Sequence, residues 1–143
     1  MEAKVIYTLL LLLSFAAVNA QGKKIEPSEL PEKAIPFLNE HFPNIAIIRA
    51  SKDWEHGEKG FEVHLADGTE VESWKDGSWR EIDGEGRPIP TAFMPVMVTD
   101  YVKTNYPNEK ITHIDAGHKN MDVDLTNKID LDFDKDWKIL KSD

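Results

Sequence analysis

Short stretches of strict alternation between apolar and polar residues predict the strands of this chain. Residues 61–65 and 121–125 alternate in this way, and so do residues 69–73 and 129–133. Successive side chains of a β-strand point to opposite faces, so this period of two places apolar side chains on one face and mostly acidic ones on the other. The pattern therefore predicts antiparallel strands with one buried face and one hydrated face.

Two further segments have apolar residues at helical spacing, and each is followed by strand-like sequence. Residues 30–43 and 94–107 both begin with an apolar residue and a proline, and both end with an aromatic residue and a proline. Proline is tolerated in the first turn of a helix and also ends one, so each segment predicts a helix. Pro36 falls one turn into the first helix and is expected to shorten or kink it. An additional strand is expected after each helix, at residues 45–52 and 110–116.

The helix and the strands that follow it occur twice in the same order, which predicts an internal duplication. Residues 28–86 form the first copy and residues 88–143 the second. The closing strands are expected at residues 79–82 and 137–140, and this alignment makes Trp79 equivalent to Trp137. It also makes the preceding turn two residues shorter in the second copy.

Each copy of about 60 residues is too small to bury a stable core of its own. We therefore expect an α+β fold made of two tandem copies, each with one helix plus about four antiparallel strands. The two copies should join in one continuous antiparallel sheet that has the helices on one face.

The first 20 residues have the features of a secretory signal peptide. A weakly basic start precedes an apolar run at residues 5–17, and Val18 and Ala20 are the small residues before a cleavage site. This run is shorter than the roughly 20 residues that a membrane helix needs. We expect cleavage after Ala20, a flexible leader at residues 21–27, a periplasmic or secreted location, and no membrane insertion after cleavage.

The composition argues against several classes of function. The chain has 143 residues with 17 basic and 26 acidic side chains and a formal net charge of −9, and it has no basic stripe. This charge argues against binding to nucleic acid or to an anionic membrane. The lack of cysteine excludes disulfides, thiolate metal sites and lipid attachment at an N-terminal cysteine, so a lipoprotein is not expected. No nucleophile elbow or glycine-rich phosphate loop is present, so we expect neither an enzyme nor a cofactor.

Residues 28–143 resemble the PepSY-like family in two copies. The first copy carries the pattern best, with the helix at residues 30–43, an Asp-Gly pair at residues 67–68 and Trp-Lys-Asp-Gly-Ser-Trp-Arg-Glu-Ile at residues 74–82. The second copy lacks the Asp-Gly pair. The resemblance implies a fold similar to the β-lactamase inhibitory protein and a periplasmic or outward location. It also implies binding or inhibition of secreted enzymes such as peptidases, and it brings no catalytic residues.

The aspartates of the second copy allow two interpretations. Asp132, Asp134 and Asp136 have the opening spacing of a calcium loop, and together with Asp130 they form a candidate metal site. However, Trp137 stands where that loop needs glycine, and the period of two places the aspartates on a strand. A hydrated sheet face is the favoured interpretation. The five histidines have no metal-binding spacing and are interpreted as unrelated surface residues.

We expect the hydrated sheet face of the first copy to dock a partner protein. Trp54 and Trp74 would anchor the contact, while charged neighbours steer the encounter with a basic surface. The candidate partner-binding residues are Trp54, Glu62, His64, Glu70, Glu72 and Trp74. The competing interpretation of Trp74 is partial cover by a long neighbouring side chain. Inhibition of a secreted enzyme is one expected outcome, and the alternative function is binding of calcium or a small ligand by the acidic strand face.

Overall fold

Nine antiparallel strands form a single sheet whose spatial order is the same as the order along the chain. The computed structural model describes residues 22–55, 58–117 and 120–143. The strands are β1 (Lys23–Ile25), β2 (Ile47–Glu55), β3 (Glu58–Leu65), β4 (Glu70–Trp74), β5 (Trp79–Asp83), β6 (Ile111–Ala116), β7 (Met121–Leu125), β8 (Asp130–Phe133) and β9 (Ile139–Ser142). The helices are α1 (Ala34–His41) and α2 (Val96–Asn105), and a short 3-10 helix spans Pro27–Glu29. Neither α-helix in the described ranges has the length and apolar character needed to cross a bilayer.

One apolar core lies between the helices and one face of the sheet. Its least exposed aliphatic residues are Ile82, Val98, Ile114, Val123 and Leu131. Phe93, in the segment before α2, lies 5.2 Å from the ring of Phe37 on α1 and 5.2 Å from the ring of Trp79 on β5. Because β5 also pairs with β6, the first and second halves share both the sheet and the core. The predicted α+β class with one continuous antiparallel sheet is confirmed.

Part of the segment predicted as a flexible leader is a strand. Lys23–Ile25 form β1 and pair with residues 50–52 of β2 at the edge of the sheet. The side chain of Ile25 enters the core and is buried. A strand of three residues with one buried side chain is too short to show periodicity, so the prediction for residues 21–27 was wrong at this point. The predicted signal peptide, residues 1–20, lies outside the described residues.

Helix α1 is shortened at its start, as Pro36 predicts. The helix begins at Ala34, so Pro36 lies in its first turn, where the missing N–H has no helical acceptor to lose. Helix α2 begins directly after Pro95 and is two residues longer, with 10 residues against 8.

The closing hairpin of the second half differs from its prediction. The turns before β5 and β9 have the same pattern of backbone hydrogen bonds and therefore the same length. Trp137 has φ 58° and takes the left-handed position that Gly77, with φ 88°, occupies in the first turn. Strand β9 then begins at Ile139, two residues later than predicted. The predicted equivalence of Trp79 and Trp137 was wrong. The two residues have the same side chain, but the backbone position of Trp137 corresponds to that of Gly77.

Candidate functional site

The sheet face opposite the helices carries two continuous rows of polar side chains, most of them acidic. Each residue in a row is the cross-strand neighbour of the next. The first row contains Arg49, His64, Glu70, Asp83, His113, Asp124 and Asp130. The second row contains Ser51, Glu62, Glu72, Glu81, Asp115, Asp122, Asp132 and Lys141. We term these two rows, with Trp74 and Arg80 beside them, the acidic face.

A buried arginine lies in the first half of the acidic face. Arg80 is the extra residue of a β-bulge where β5 pairs with β4, and its side chain is 2% exposed. Its Nη2 donates a hydrogen bond of 2.6 Å to Glu72 Oε2, and the centre of its guanidinium lies 5.0 Å from the centroid of the Trp74 ring. A Cβ at Gly60 would lie 3.2 Å from Arg80 Nη1, so the missing side chain leaves room for the guanidinium.

The arginine changes the environment of the predicted tryptophan anchor. Trp74 is half-buried and lies against Arg80, which matches the competing interpretation of partial cover by a long side chain. Trp54 lies on β2 opposite Lys59, and its side chain falls outside the described residues.

His64 lies between two carboxylates of the first half. Its Nδ1 is 3.3 Å from an oxygen of Glu70 on β4, and its Nε2 contacts Glu62 two residues earlier on β3. All three side chains are half-buried, and one ligand atom from each lies within 4.8 Å of the other two. Four of the candidate residues, Glu62, His64, Glu70 and Glu72, thus lie together on the predicted face.

His113 also lies between two carboxylates, in the second half, and its side chain is more deeply buried than that of His64. Its Nε2 is 2.8 Å from Glu81 on β5, and its Nδ1 is 3.2 Å from Asp124 on β7. Burial by itself lowers the pKa of His113, but the hydrogen bonds to Asp124 and Glu81 raise it to about 10. His113 is therefore a cation at neutral pH.

The interpretation of the histidines as unrelated surface residues was wrong for His113, which bridges β5 and β7, whereas His64 lies with Glu62 and Glu70 on the acidic face. A third described histidine, His41, lies at the end of α1 and packs 5.1 Å from the ring of Phe93. Sequence reasoning missed His113 because its carboxylate partners lie on two other strands. His56 and His118 lie outside the described residues.

Two carboxyl groups of the second row, those of Glu72 and Asp122, have strongly raised pKa values. Burial and the neighbouring Glu81 together raise the pKa of Glu72 to about 8, against the opposing effect of the Arg80 guanidinium. Burial, together with the hydrogen bond and charge of Asp132, raises the pKa of Asp122 to about 6. The acidic face therefore retains protons at a pH where isolated carboxyl groups are ionised.

The substitution Asp122→Asn is expected to stabilise the protein at pH 8 and to have less effect at pH 4.5. The pKa of Asp122 is raised on folding, so its contribution to stability is full below the ordinary value of 3.8 and is lost as the pH rises through about 6. Above that pH, ionised Asp122 and Asp132 repel each other directly across the strands, which costs about 0.5–1 kcal/mol. Thermal denaturation at both pH values measures the effect as a rise of about 2–5 °C at pH 8.

Asp100→Asn is the matched control for this measurement, because it removes the same charge from an exposed position on α2. It should change the melting temperature equally at both pH values. Equal effects of Asp122→Asn at pH 4.5 and pH 8 would contradict the role of repulsion between Asp122 and Asp132.

The structure does not collect the aspartates of the candidate calcium site at one point. Asp130 and Asp132 lie on the acidic face, whereas Asp134 Oδ1 accepts the backbone N–H groups of Asp136 and Lys138, both at 2.9 Å. Asp134 therefore stabilises the turn before β9. In the described part of the chain, no three of these aspartates have oxygens that converge as the atoms around His64 do.

Comparison with known proteins places this fold among related chains. Residues 59–141 match the model of a family described as "Putative beta-lactamase-inhibitor-like, PepSY-like". A crystal structure from Bacteroides thetaiotaomicron, of a "putative calcium-regulated periplasmic protein", is 31% identical with a TM-score of 0.78 and covers 85% of this chain and 95% of its own. A crystal structure from Bacteroides vulgatus, of a "putative periplasmic protein", is 29% identical with a TM-score of 0.80, at the same coverage of 85% and 95%. A search of curated proteins gave no significant match.

Proposed function

This chain belongs to the PepSY-like family, and we propose that it is an exported, non-enzymatic binding module that docks a basic partner protein on its acidic face. The inhibitor-like description of the family supports a binding role rather than catalysis. The periplasmic description of the similar Bacteroides proteins supports export, together with the signal-peptide features at residues 1–20.

The observation that carries this proposal is the continuity of the acidic rows. Four carboxylates in the first row and six in the second lie across six neighbouring strands, β3 to β8, on the face that the helices leave uncovered. The cations beside them are fewer, namely Arg49, Arg80, His113 and Lys141. A rigid surface of one dominant sign attracts a partner of the opposite sign and increases the rate of productive encounter.

Inhibition of an enzyme would follow from docking by simple occlusion. The acidic face would cover the cleft of a secreted enzyme whose rim is basic, such as a peptidase, and no chemistry by this chain is required. The partner's basic side chains would pair with the carboxylates at the rim of the contact, where they determine association rate and specificity more than affinity.

Calcium binding is a second candidate, because one similar protein is described as calcium-regulated. Asp122, Asp124, Asp130 and Asp132 would supply the oxygen ligands that calcium prefers. Their positions on two neighbouring strands of the acidic face support this candidate less directly than the rows support docking.

Removal of two charges from the acidic face is expected to weaken partner binding. The full chain would be expressed, purified and used to capture partner proteins from envelope extracts of the source organism. Each captured partner would then be purified, and its affinity for this protein would be measured. The variant Asp130→Asn/Asp132→Asn should lower the affinity for a basic partner by about tenfold, mainly through slower association. The difference should shrink at high salt, because screening suppresses interactions between exposed charges.

The matched control is Glu40→Gln/Asp100→Asn, which removes two exposed carboxylates from the helices and leaves the same net charge. It should bind the partner like the unsubstituted chain. Equal weakening by both double variants would indicate non-specific attraction, and no weakening by the acidic-face variant would reject this face as the docking surface.

A further inference from the structure

We propose that Glu62, His64 and Glu70 form a binding site for a single zinc-class divalent metal ion on the acidic face. The proposal concerns a ligand that binds this chain directly, so it does not depend on the docking of a partner protein. It also differs from the sequence-based alternative, which placed a calcium ion at the aspartates of the second half.

The backbone brings these three side chains together without distortion of the sheet. Glu62 and His64 are two residues apart on β3 and therefore point to the same face, and Glu70 is the direct cross-strand neighbour of His64. One ligand atom of each lies within 4.8 Å of the others. Tetrahedral ligands about 2.1 Å from a zinc ion are about 3.4 Å apart, so small rotations of these side chains would complete the site.

The donor set selects the class of ion. Zinc and its late first-row neighbours accept an imidazole nitrogen together with carboxylate oxygens, whereas calcium needs six to eight oxygen ligands. Two ionised glutamates would neutralise the charge of a divalent ion. The side chains of Glu62, His64 and Glu70 are 21%, 31% and 37% exposed, so an ion can enter from solvent and water can occupy the remaining positions.

Only one ring nitrogen of His64 can bind the ion, because the two nitrogens point away from each other. In the structure each nitrogen faces one of the two glutamates, so one glutamate side chain must rotate toward the metal-bound nitrogen for all three residues to bind a single ion. Arg49 lies opposite His64 on β2, and its positive charge should keep the affinity moderate.

The corresponding arrangement in the second half is not expected to bind an ion. His113 also lies between two carboxylates, but its side chain is only 17% exposed. Its hydrogen bonds to Asp124 and Glu81 keep it protonated at neutral pH, and a protonated imidazole has no lone pair for a metal. The two histidine environments therefore provide an internal comparison between an accessible site and a closed ion pair.

The test is a titration of zinc chloride into untagged protein purified after expression of the full chain. We expect one ion per chain with an affinity on the order of micromolar, and His64→Gln should lower it at least about tenfold. Glu70→Gln is a second variant that removes a ligand and retains a side chain of the same size. Cobalt(II) provides a spectroscopic readout, because its visible absorption bands should appear with the unsubstituted chain and disappear in both variants.

Three control variants separate this site from other sources of binding. Asp130→Asn removes one carboxylate from the same row outside the proposed site, and it should bind zinc as the unsubstituted chain does. His56→Gln and His118→Gln remove the histidines outside the described residues, and they should also leave binding unchanged. Circular dichroism checks that each variant remains folded.

Several results would overturn the proposal. These are no binding at millimolar zinc, unchanged binding in folded His64→Gln and Glu70→Gln, loss of binding in His56→Gln or His118→Gln, and displacement of zinc by an equal concentration of calcium. None of these results tests partner docking. Docking is measured as the binding of a partner protein, and its variants carry substitutions outside the proposed metal site.

Discussion

Replacement of Arg80 by methionine is expected to destabilise the protein by about 3 kcal/mol or more. The guanidinium is buried, donates a hydrogen bond to Glu72 and lies against the ring of Trp74. Without it, Glu72 would stay buried beside Glu81 and lose its hydrogen-bond donor. The loss of one partner from a buried hydrogen-bonded pair costs far more than the pair contributes, because the remaining group stays desolvated.

A double-mutant cycle measured by urea denaturation tests this expectation. Arg80→Met/Glu72→Leu should be more stable than Arg80→Met alone, because it removes the stranded carboxyl group together with its partner. Lys75→Met is the matched control, since it removes one positive charge from an exposed position in the turn before β5 and should change stability by less than about 0.5 kcal/mol. Strictly additive effects of the two substitutions would show that Arg80 and Glu72 do not stabilise each other.

Replacement of Gly84 by alanine is expected to cost about 3 kcal/mol, because the segment that connects the two halves has no room for a methyl group. A Cβ at Gly84 would lie 2.2 Å from the carbonyl oxygen of Arg87, 2.7 Å from Cγ2 of Ile89 and 3.0 Å from the carbonyl oxygen of Thr112. The backbone N–H of Gly84 also donates a hydrogen bond of 2.8 Å to Thr112 O. A shift that relieves the contact would therefore disturb the junction between β5 and β6.

Gly86→Ala is the control for this steric effect. Gly86 lies in the same connecting segment, but its replacement costs stability through backbone strain and not through a steric clash. A Cβ there would meet nothing within 4 Å, but the backbone has φ 80°, a left-handed conformation that costs alanine about 1 kcal/mol. Chemical denaturation should rank Gly84→Ala as clearly more destabilising than Gly86→Ala. If Gly86→Ala were the more destabilising substitution, the junction between β5 and β6 would have room for a methyl group at Gly84, contrary to the distances in the structure.

The position of Arg80 could not be predicted from the alternation of apolar and polar residues. Strict alternation from Trp79 would place Ile82 on the acidic face, yet Ile82 is fully buried in the core. The bulge at Arg80 shifts the register by one residue, so that Arg80 and Glu81 both belong to the acidic face. The sequence does indicate a bulge, because Trp79 and Ile82 are both apolar and lie three positions apart, which contradicts a period of two. It does not identify which residue between them is the extra one.

The alternation of residue types was sufficient to predict which face Glu62, His64, Glu70 and Glu72 occupy, and the helical spacing of apolar residues between prolines was sufficient to predict both helices. These properties are local, because side-chain direction repeats every two residues along a strand and proline affects only the turn around it. Tertiary structure decided how deeply each charge is buried and which partner it meets. Those properties depend on bulges, on strand register and on desolvation by distant segments, as the contact of His113 with Glu81, 32 residues earlier in the chain, illustrates.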